Sequence, residues 1–281
     1  MNEWIDTFEE LLLSAKIKES RKLRLLHLPE KLYRYRSCHS PDELNYRINE
    51  IEGTIHLSKT KELNDPFEAS YMCSSEFDHI KQRLCKRTKI KKSGKINDEF
   101  LNLVYKTSSE ILCDLTNETI QAGLRIACFT ESPFNVVMWS NYANRFEGLC
   151  FEYSTSTPDL ALWKNLLYPV IYKERLPDYN TFWKIDPIIS NMLVCLTKTN
   201  LWSYEKEWRI LLDTRNFPNI KIDQQINTYF SKPSKIILGY DLDPKFKNEI
   251  FRKAKSLGIK VAEISKSAYG LSEKSQNSYS K

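Results

Sequence analysis

The chain has 281 residues, of which 41% are hydrophobic and 28% charged, and its net charge is +6. This composition is typical of a globular protein with a substantial core and excludes a disordered chain. No apolar run reaches the roughly 18 residues of a membrane-spanning helix, and the acidic N-terminus lacks the basic start of a secretory signal, so we expect a cytoplasmic protein with no membrane contact.

The first half of the chain alternates helix and strand patterns. Apolar residues at helical spacing predict one or two helices over residues 3–26. Alternating residues predict strands at 31–37 and 54–58, and Ser40 with Glu43 predicts a capped helix over 41–51. Residues 74–122 are charged and periodic, which indicates a helical insertion.

The second half continues the mixture. We predict strands at 124–130, 148–153, 168–172, 208–212, 235–238 and 260–264, and helices at 133–144, 184–200 and 244–257. The polar tail, 272–281, is expected to fray. This order predicts a single α+β domain over residues 1–281, with a mixed central sheet flanked by helices. The strands at 31–37, 54–58 and 208–212 are expected to lie near one another.

Metal-site and phosphate-loop motifs are missing. The seven cysteines contain no CxxC pair, and the four histidines form no HExxH motif, so we expect free thiols and no metal. The seven glycines leave no GxGxxG, no GxxxxGK[ST] and no GxSxG. The usual glycine-rich phosphate loops and the nucleophile elbow are therefore excluded.

Two arginines alternate with two tyrosines at Tyr33-Arg34-Tyr35-Arg36. In a strand, Arg34 and Arg36 point to one face and the tyrosines to the other. Adjacent guanidinium groups repel unless an anion or carboxylate lies between them, and arginine recognises phosphate in a bidentate manner. The pattern indicates an anion site, or alternatively an edge strand with a solvated face.

The segment after the second strand contains a turn, Asn64-Asp65-Pro66. Asparagine and aspartate bond their own backbone in turns, and proline fixes φ. The apolar neighbours Leu63 and Phe67 would bury this loop beneath a pocket rim. The alternative is that it is only a turn.

Two glutamates, Glu205 and Glu207, directly precede an apolar strand. Aromatic residues surround them in sequence, namely Trp202, Tyr204 and Trp208. A spacing of two places both carboxylates on one side of an extended chain. Paired carboxylates with aromatic walls suit a reaction at a glycosidic bond, where a fixed carboxylate stabilises an oxocarbenium-like state. The alternative is a strand entry whose acids pair with Lys206 and Arg209.

Two further features have more than one interpretation. Trp139 and Tyr142 lie one helical turn apart and belong to the core or to a pocket floor. The run Lys81–Lys95 holds eight Lys or Arg residues and no acid. It contains no aromatics, so it is a solvated face or a site of nucleic-acid contact.

These segments together resemble a bacterial family, domain of unknown function 2971. The resemblance rests on LYRYRS, HLSKTKELNDPFE, CFTESP with MWSNYANRFEGLCFEY, YEKEWRI and KIILG, in this order over about residues 31–240. The family name implies no activity, although its members often look like accessory or anti-phage genes.

The same positions resemble the site of ADP-ribosyltransferases. Those enzymes have an arginine on a first strand, a serine or threonine on a second and an ExE motif before a later strand. Here the matching residues are Arg34 or Arg36, Ser58 and the pair Glu205 and Glu207. The resemblance implies a split sheet and NAD as substrate, with no metal. His-Leu-Ser-Lys-Thr at the second strand departs from the usual Ser-Thr-Ser motif.

The resemblance also implies a role for each residue. Arg36, supported by Arg34, would hold the NAD pyrophosphate, and Ser58 would orient Glu207. Glu207 would stabilise the oxocarbenium as nicotinamide leaves, and Glu205 would act as general base toward the acceptor. The remaining implied contacts with the nucleotide are Tyr35, Asn64, Asp65, Trp139 and Tyr142. Trp202 and Tyr204 would select the acceptor.

The predicted function is therefore an NAD-dependent ADP-ribosyltransferase-like enzyme, a toxin or an anti-phage effector, acting on an unknown protein or nucleic-acid acceptor. The alternative is a non-catalytic defence protein that binds nucleic acid or protein through Lys81–Lys95. A metal-dependent nuclease is a third interpretation, which the lack of a carboxylate–lysine cluster disfavours. Convergence of Arg34, Arg36, Ser58 and Glu207 on one cleft is what a transferase requires.

Overall fold

A computed structural model describes residues 3–71, 123–177, 185–214 and 227–274, with single positions between 103 and 120. The basic run Lys81–Lys95 lies outside these residues, as does almost all of the insertion predicted at 74–122. None of the described helices is long and apolar enough to cross a membrane.

The described ranges contain six α-helices: α1 (Glu3–Leu13), α2 (Ile17–Leu26), α3 (Pro41–Ile51), α4 (Val136–Tyr142), α5 (Pro187–Leu196) and α6 (Pro244–Ser256). Three of them start in the same way, because a polar residue caps the first turn and proline occupies the first helical position. The capping residues are Ser40, Asp186 and Asp243. Proline fits there since its missing N–H would have no helical partner.

Among the described residues, eight strands form one mixed sheet: β1 (Lys31–Arg36), β3 (Leu124–Thr130), β4 (Leu149–Ser154), β5 (Leu167–Pro169), β8 (Glu207–Asp213), β10 (Lys235–Leu238), β11 (Lys260–Ser267) and β12 (Gly270–Glu273). Their order across the sheet is β12-β11-β10-β4-β1-β3-β8-β5. Only the β10–β11 pair is parallel within this sheet. Two smaller pairs join β2 (Thr54–His56) to β9 (Asn227–Tyr229) and β6 (Ile171–Lys173) to β7 (Thr197–Thr199).

The strands β1 and β3 separate near the middle of the sheet. They share one register pair, Tyr33 with Thr130. Farther along β3, the backbone of Ser58 takes the place of β1 and exchanges two 2.8 Å hydrogen bonds with Ile126. The sheet therefore opens between β1 and β3, and residues 58–64 line the opening.

Hydrophobic clusters cover both faces of the sheet. Side chains from β1, β4 and β10 pack with α3 and α6 in one cluster, which includes Phe151 and Phe230. α1 and α5 pack against alternate residues of β3 and β8, including Ile126 and Leu211. The apolar alternation along each strand therefore matches its two buried faces.

The structure confirms the mixed sheet flanked by helices and corrects several details. The strand predicted at 54–58 ends at His56 and pairs with β9 outside the large sheet, although Ser58 still contacts β3. The strand predicted at 168–172 is divided between β5 and β6, because they pair with different strands. The predicted tail begins too early, since Ser272 and Glu273 pair with β11; residues 275–281 lie outside the described ranges.

Candidate functional site

A pocket of about 290 Å³ lies at the opening between β1 and β3, and we call it the central pocket. Eight of the residues predicted for the site line it: Arg34, Tyr35, Arg36, Ser58, Asn64, Tyr142, Glu205 and Glu207. These eight residues come from four parts of the fold: β1, the loop after β2, α4 and the segment at the start of β8. The fold therefore brings together predicted site residues that are far apart in the chain.

The backbone around the two glutamates is held by specific hydrogen bonds. Thr130 Oγ1 donates to the Glu205 carbonyl at 2.5 Å, and the Glu207 N–H donates to the Tyr172 hydroxyl at 2.9 Å. Lys206, between them, adopts a left-handed conformation with φ of 44°. Glu205 ends a 3₁₀ segment and Glu207 begins β8, so the extended backbone assumed from their spacing is wrong.

Both carboxylates nevertheless meet at one ammonium group. Lys198 Nζ lies 2.7 Å from Glu205 Oε2 and 3.3 Å from Glu207 Oε2. All three side chains are buried. Lys198, on β7, occupies the partner position that the adjacent residue Lys206 was expected to fill, whereas Lys206 is exposed.

Glu207 is held in its charged form. Arg209 Nε donates to Oε1 at 2.8 Å and Arg209 Nη2 to Oε2 at 3.0 Å. Burial opposes ionisation, but Arg209 and Lys198 outweigh it and hold the pKa of Glu207 below its usual range. Arg209 in turn reaches Glu68, with Nη2 2.9 Å from Oε2.

The pKa of Glu205 is shifted in the opposite direction from that of Glu207. Burial and the neighbouring charge of Glu207 raise its pKa, and Lys198 only partly offsets them. The Tyr142 hydroxyl donates to Oε1 at 2.5 Å and itself accepts from Asn64 Nδ2 at 2.8 Å. The site therefore combines a fixed carboxylate anion with a carboxyl group suited to exchanging a proton, which is a common division between two acids.

The two arginines of β1 differ in their partners. Arg36 pairs with Glu50, with Nε 2.9 Å from Oε1. Arg34 is buried and donates from Nη2 to the His56 carbonyl at 3.1 Å. Its Nη1 has no hydrogen-bond partner among the described residues. Burial and the nearby Arg36 lower the pKa of Arg34 to about 10, and a guanidinium with an unpartnered donor favours an anion.

Four predicted site residues do not line the central pocket. Trp139 is buried and donates from Nε1 to the Pro133 carbonyl at 2.8 Å, so it belongs to the core. Asp65 accepts from the Phe67 N–H at 2.9 Å and stabilises the turn. The Trp202 ring lies 4.5 Å from Lys198 Nζ, and 6.2 Å from the Tyr204 ring. Trp202 therefore packs beside the ammonium group that pairs with both carboxylates.

Sequence reasoning missed Lys198 and Glu68, and it treated Arg209 only as an alternative partner. Arg209 was visible as a single charged residue inside the apolar strand β8. A buried charge of this kind needs a partner, which is a signal for a nearby acid. Ser58 lines the central pocket, and the predicted orientation of Glu207 by Ser58 remains a prediction.

No cluster of His, Cys, Asp and Glu suited to a metal occurs among the residues described. Cys128 lines the central pocket, and burial with the neighbouring Glu207 raises the pKa of its thiol. The thiol is therefore uncharged and forms part of the pocket wall.

The comparison with protein families gives one match. Residues 138–210 match the family model described as "Protein of unknown function (DUF2971)". The match confirms the predicted resemblance over about a quarter of the chain, including most of α4, β4 and the Glu205–Arg209 segment. β1 and the Ser58 loop lie outside it, and the ADP-ribosyltransferase resemblance remains a prediction. No curated protein and no solved structure matches the chain.

Proposed function

We propose that the central pocket binds NAD and transfers its ADP-ribose to an acceptor. The observation that carries this proposal is the convergence of Arg34, Arg36, Ser58 and Glu207 on one pocket. The opening of the sheet between β1 and β3 supports it as well, because a split sheet is what the ADP-ribosyltransferase resemblance implies. The acceptor and a role as toxin or anti-phage effector remain predictions.

The two carboxylates would divide the chemistry. Glu207, kept ionised, would stabilise positive charge on the ribose as the bond to nicotinamide breaks. Glu205 would take a proton from the acceptor nucleophile as it attacks the ribose carbon. Arg34 would donate its unpartnered Nη1 to an oxygen of the pyrophosphate.

Replacement of each glutamate tests the proposal. We expect Glu207→Gln to reduce nicotinamide release at least about 100-fold, because removal of one preorganised charge typically costs that much. Glu205→Gln should reduce acceptor modification while slow NAD hydrolysis survives. The measurement is nicotinamide produced per folded protein, with cell extract as the source of acceptor.

The matched control is Glu249→Gln, at an exposed position of α6, which should release nicotinamide at the wild-type rate. A melting curve for each variant separates lost chemistry from lost folding, since Glu207 is buried and paired. Wild-type protein that releases no nicotinamide with any extract would refute the proposal, as would a folded Glu207→Gln variant with full activity.

A second candidate is a binding protein without catalysis. Both oxygens of Glu207 accept hydrogen bonds from Arg209, which neutralises the charge that a transferase would use. NAD binding in the absence of nicotinamide release would favour this candidate. The predicted nucleic-acid contact at Lys81–Lys95 lies outside the described residues and adds nothing to either candidate.

A further inference from the structure

A second pocket of about 230 Å³ lies beside α3. We call it the α3 pocket, and it is lined chiefly by Arg36, Tyr46, Arg47, Asn49, Glu50 and His56. Arg36 also lines the central pocket, so the two pockets share a residue and are neighbours.

The floor of the α3 pocket carries surplus positive charge. Arg36 Nε lies 2.9 Å from Glu50 Oε1, and Arg47 Nη1 lies 2.8 Å from Glu50 Oε2. One negative charge therefore faces two positive charges. Arg47 and Glu50 are both more than nine-tenths buried, and fixed arginines with uncompensated charge suit a phosphate group.

The rim of the α3 pocket is suited to a planar ring. Tyr46 and Asn49 are three residues apart on α3, so they share one face of the helix. Tyr46 is 47% exposed. Exposed aromatic rings beside a cationic surface stack nucleobases, and an asparagine amide pairs with the edge of adenine.

We infer that the α3 pocket binds the adenine nucleotide half of the dinucleotide. A phosphate would lie at Arg36 and Arg47, and the base would lie against Tyr46 and Asn49. The inference rests on the proposed function, in which the central pocket receives the nicotinamide ribose half. A volume of about 290 Å³ is at the lower end for small-molecule sites, so a dinucleotide needs the neighbouring space as well.

The test is calorimetric binding of AMP to the full chain. We expect the wild-type protein to bind AMP and Tyr46→Ala to bind it at least about five-fold more weakly, which is the lower limit for loss of one base–aromatic stack. Asn49→Ala should also weaken binding. The matched control is Tyr269→Ala, because Tyr269 is fully exposed and distant in sequence from both pockets, and it should bind AMP as the wild type does.

Two outcomes would overturn the inference: no AMP binding by the wild type, or equal affinity in Tyr46→Ala and wild type. Its failure differs from failure of the transferase proposal. If Tyr46→Ala released nicotinamide with an unchanged KM for NAD, the transferase proposal would stand and the adenine site would be refuted. If AMP binding depended on Tyr46 but no nicotinamide were released, the adenine site would stand and the transferase proposal would be refuted.

Discussion

Arg209 is the residue on which the charge balance of the central pocket depends. It is fully buried and bonds Glu207, Glu68 and the Cys195 carbonyl. A buried ion pair adds little net stability when complete, since both charges have lost their water. Removing one member is costly, because the remaining charge is buried without a partner.

We therefore expect Arg209→Met to lower the free energy of unfolding by about 3–5 kcal/mol, since it leaves Glu68 and Glu207 without their shared cation. Urea unfolding measures this loss. Arg252→Met, which removes an exposed pair with Glu249 on α6, should change stability by no more than about 0.5 kcal/mol. Similar losses in both variants would mean that water or protonation relieves the buried acids.

Among the elements, α3 connects the sequence to both pockets. Its Ser40 Oγ accepts from the Glu43 N–H at 3.2 Å, as the capping pattern predicts. The Glu43 carboxylate accepts from the His39 N–H at 2.9 Å, one residue before the usual partner. Arg47 and Glu50 follow Glu43 by about one and two turns of the same helix, and both line the α3 pocket.

Loss of this cap should be measurable as a loss of stability. We expect Ser40→Ala to reduce the free energy of unfolding by about 1 kcal/mol, the typical value for a serine cap. The control is Ser256→Ala at the exposed end of α6, with an expected change within about 0.5 kcal/mol. Equal stability of Ser40→Ala and wild type in urea would show that Pro41 and the Glu43 contacts are sufficient to start the helix.

Elements set by local chemistry were predictable, and elements set by distant partners were not. The bounds of α3 and β3 agree with the prediction, because a cap and an alternating apolar run are local signals. β9 and β12 were missed, since short polar strands exist only through pairing with β2 and β11. The break between β5 and β6 at Val170 was missed for the same reason, because β5 pairs with β8 and β6 pairs with β7.

The candidate site follows the same rule. Arginines and paired glutamates stand out in the sequence, so Arg34, Arg36 and Glu207 could be predicted, and all three line the central pocket. Lys198 was not, because its neighbours give no hint that its ammonium lies between two carboxylates. For Trp139 the sequence left core and pocket floor open, and the structure buries its side chain in the core.

At the scale of the whole molecule, the buried cluster of Glu50 with its arginines makes the free energy of unfolding depend on pH. Burial opposes ionisation of Glu50, yet Arg36, Arg47 and Arg34 outweigh it and lower its pKa from 4.5 to about 2. A carboxyl group with a lowered pKa stabilises the folded state above its unfolded pKa. That contribution is lost as the pH falls toward 2.

We expect this carboxylate to account for about 3 kcal/mol of stability lost between pH 4.5 and pH 2, at roughly 1.4 kcal/mol per pKa unit. Urea unfolding of wild type and Glu50→Gln across this range measures it. Glu50→Gln should be less stable at pH 7 and lose less on acidification. Parallel curves for the two proteins would contradict the expectation.

The position of β1 has a consequence for the order in which the chain folds. β1 is synthesised before its hydrogen-bond partners β3 and β4, which follow roughly a hundred residues later. Closing so long a loop costs entropy before any contact compensates it. The Arg34 and Arg36 strand therefore emerges from the ribosome with both edges unpaired. β1 can complete its pairing only after β4 has been made, and until then its backbone N–H and C=O groups have no strand partner.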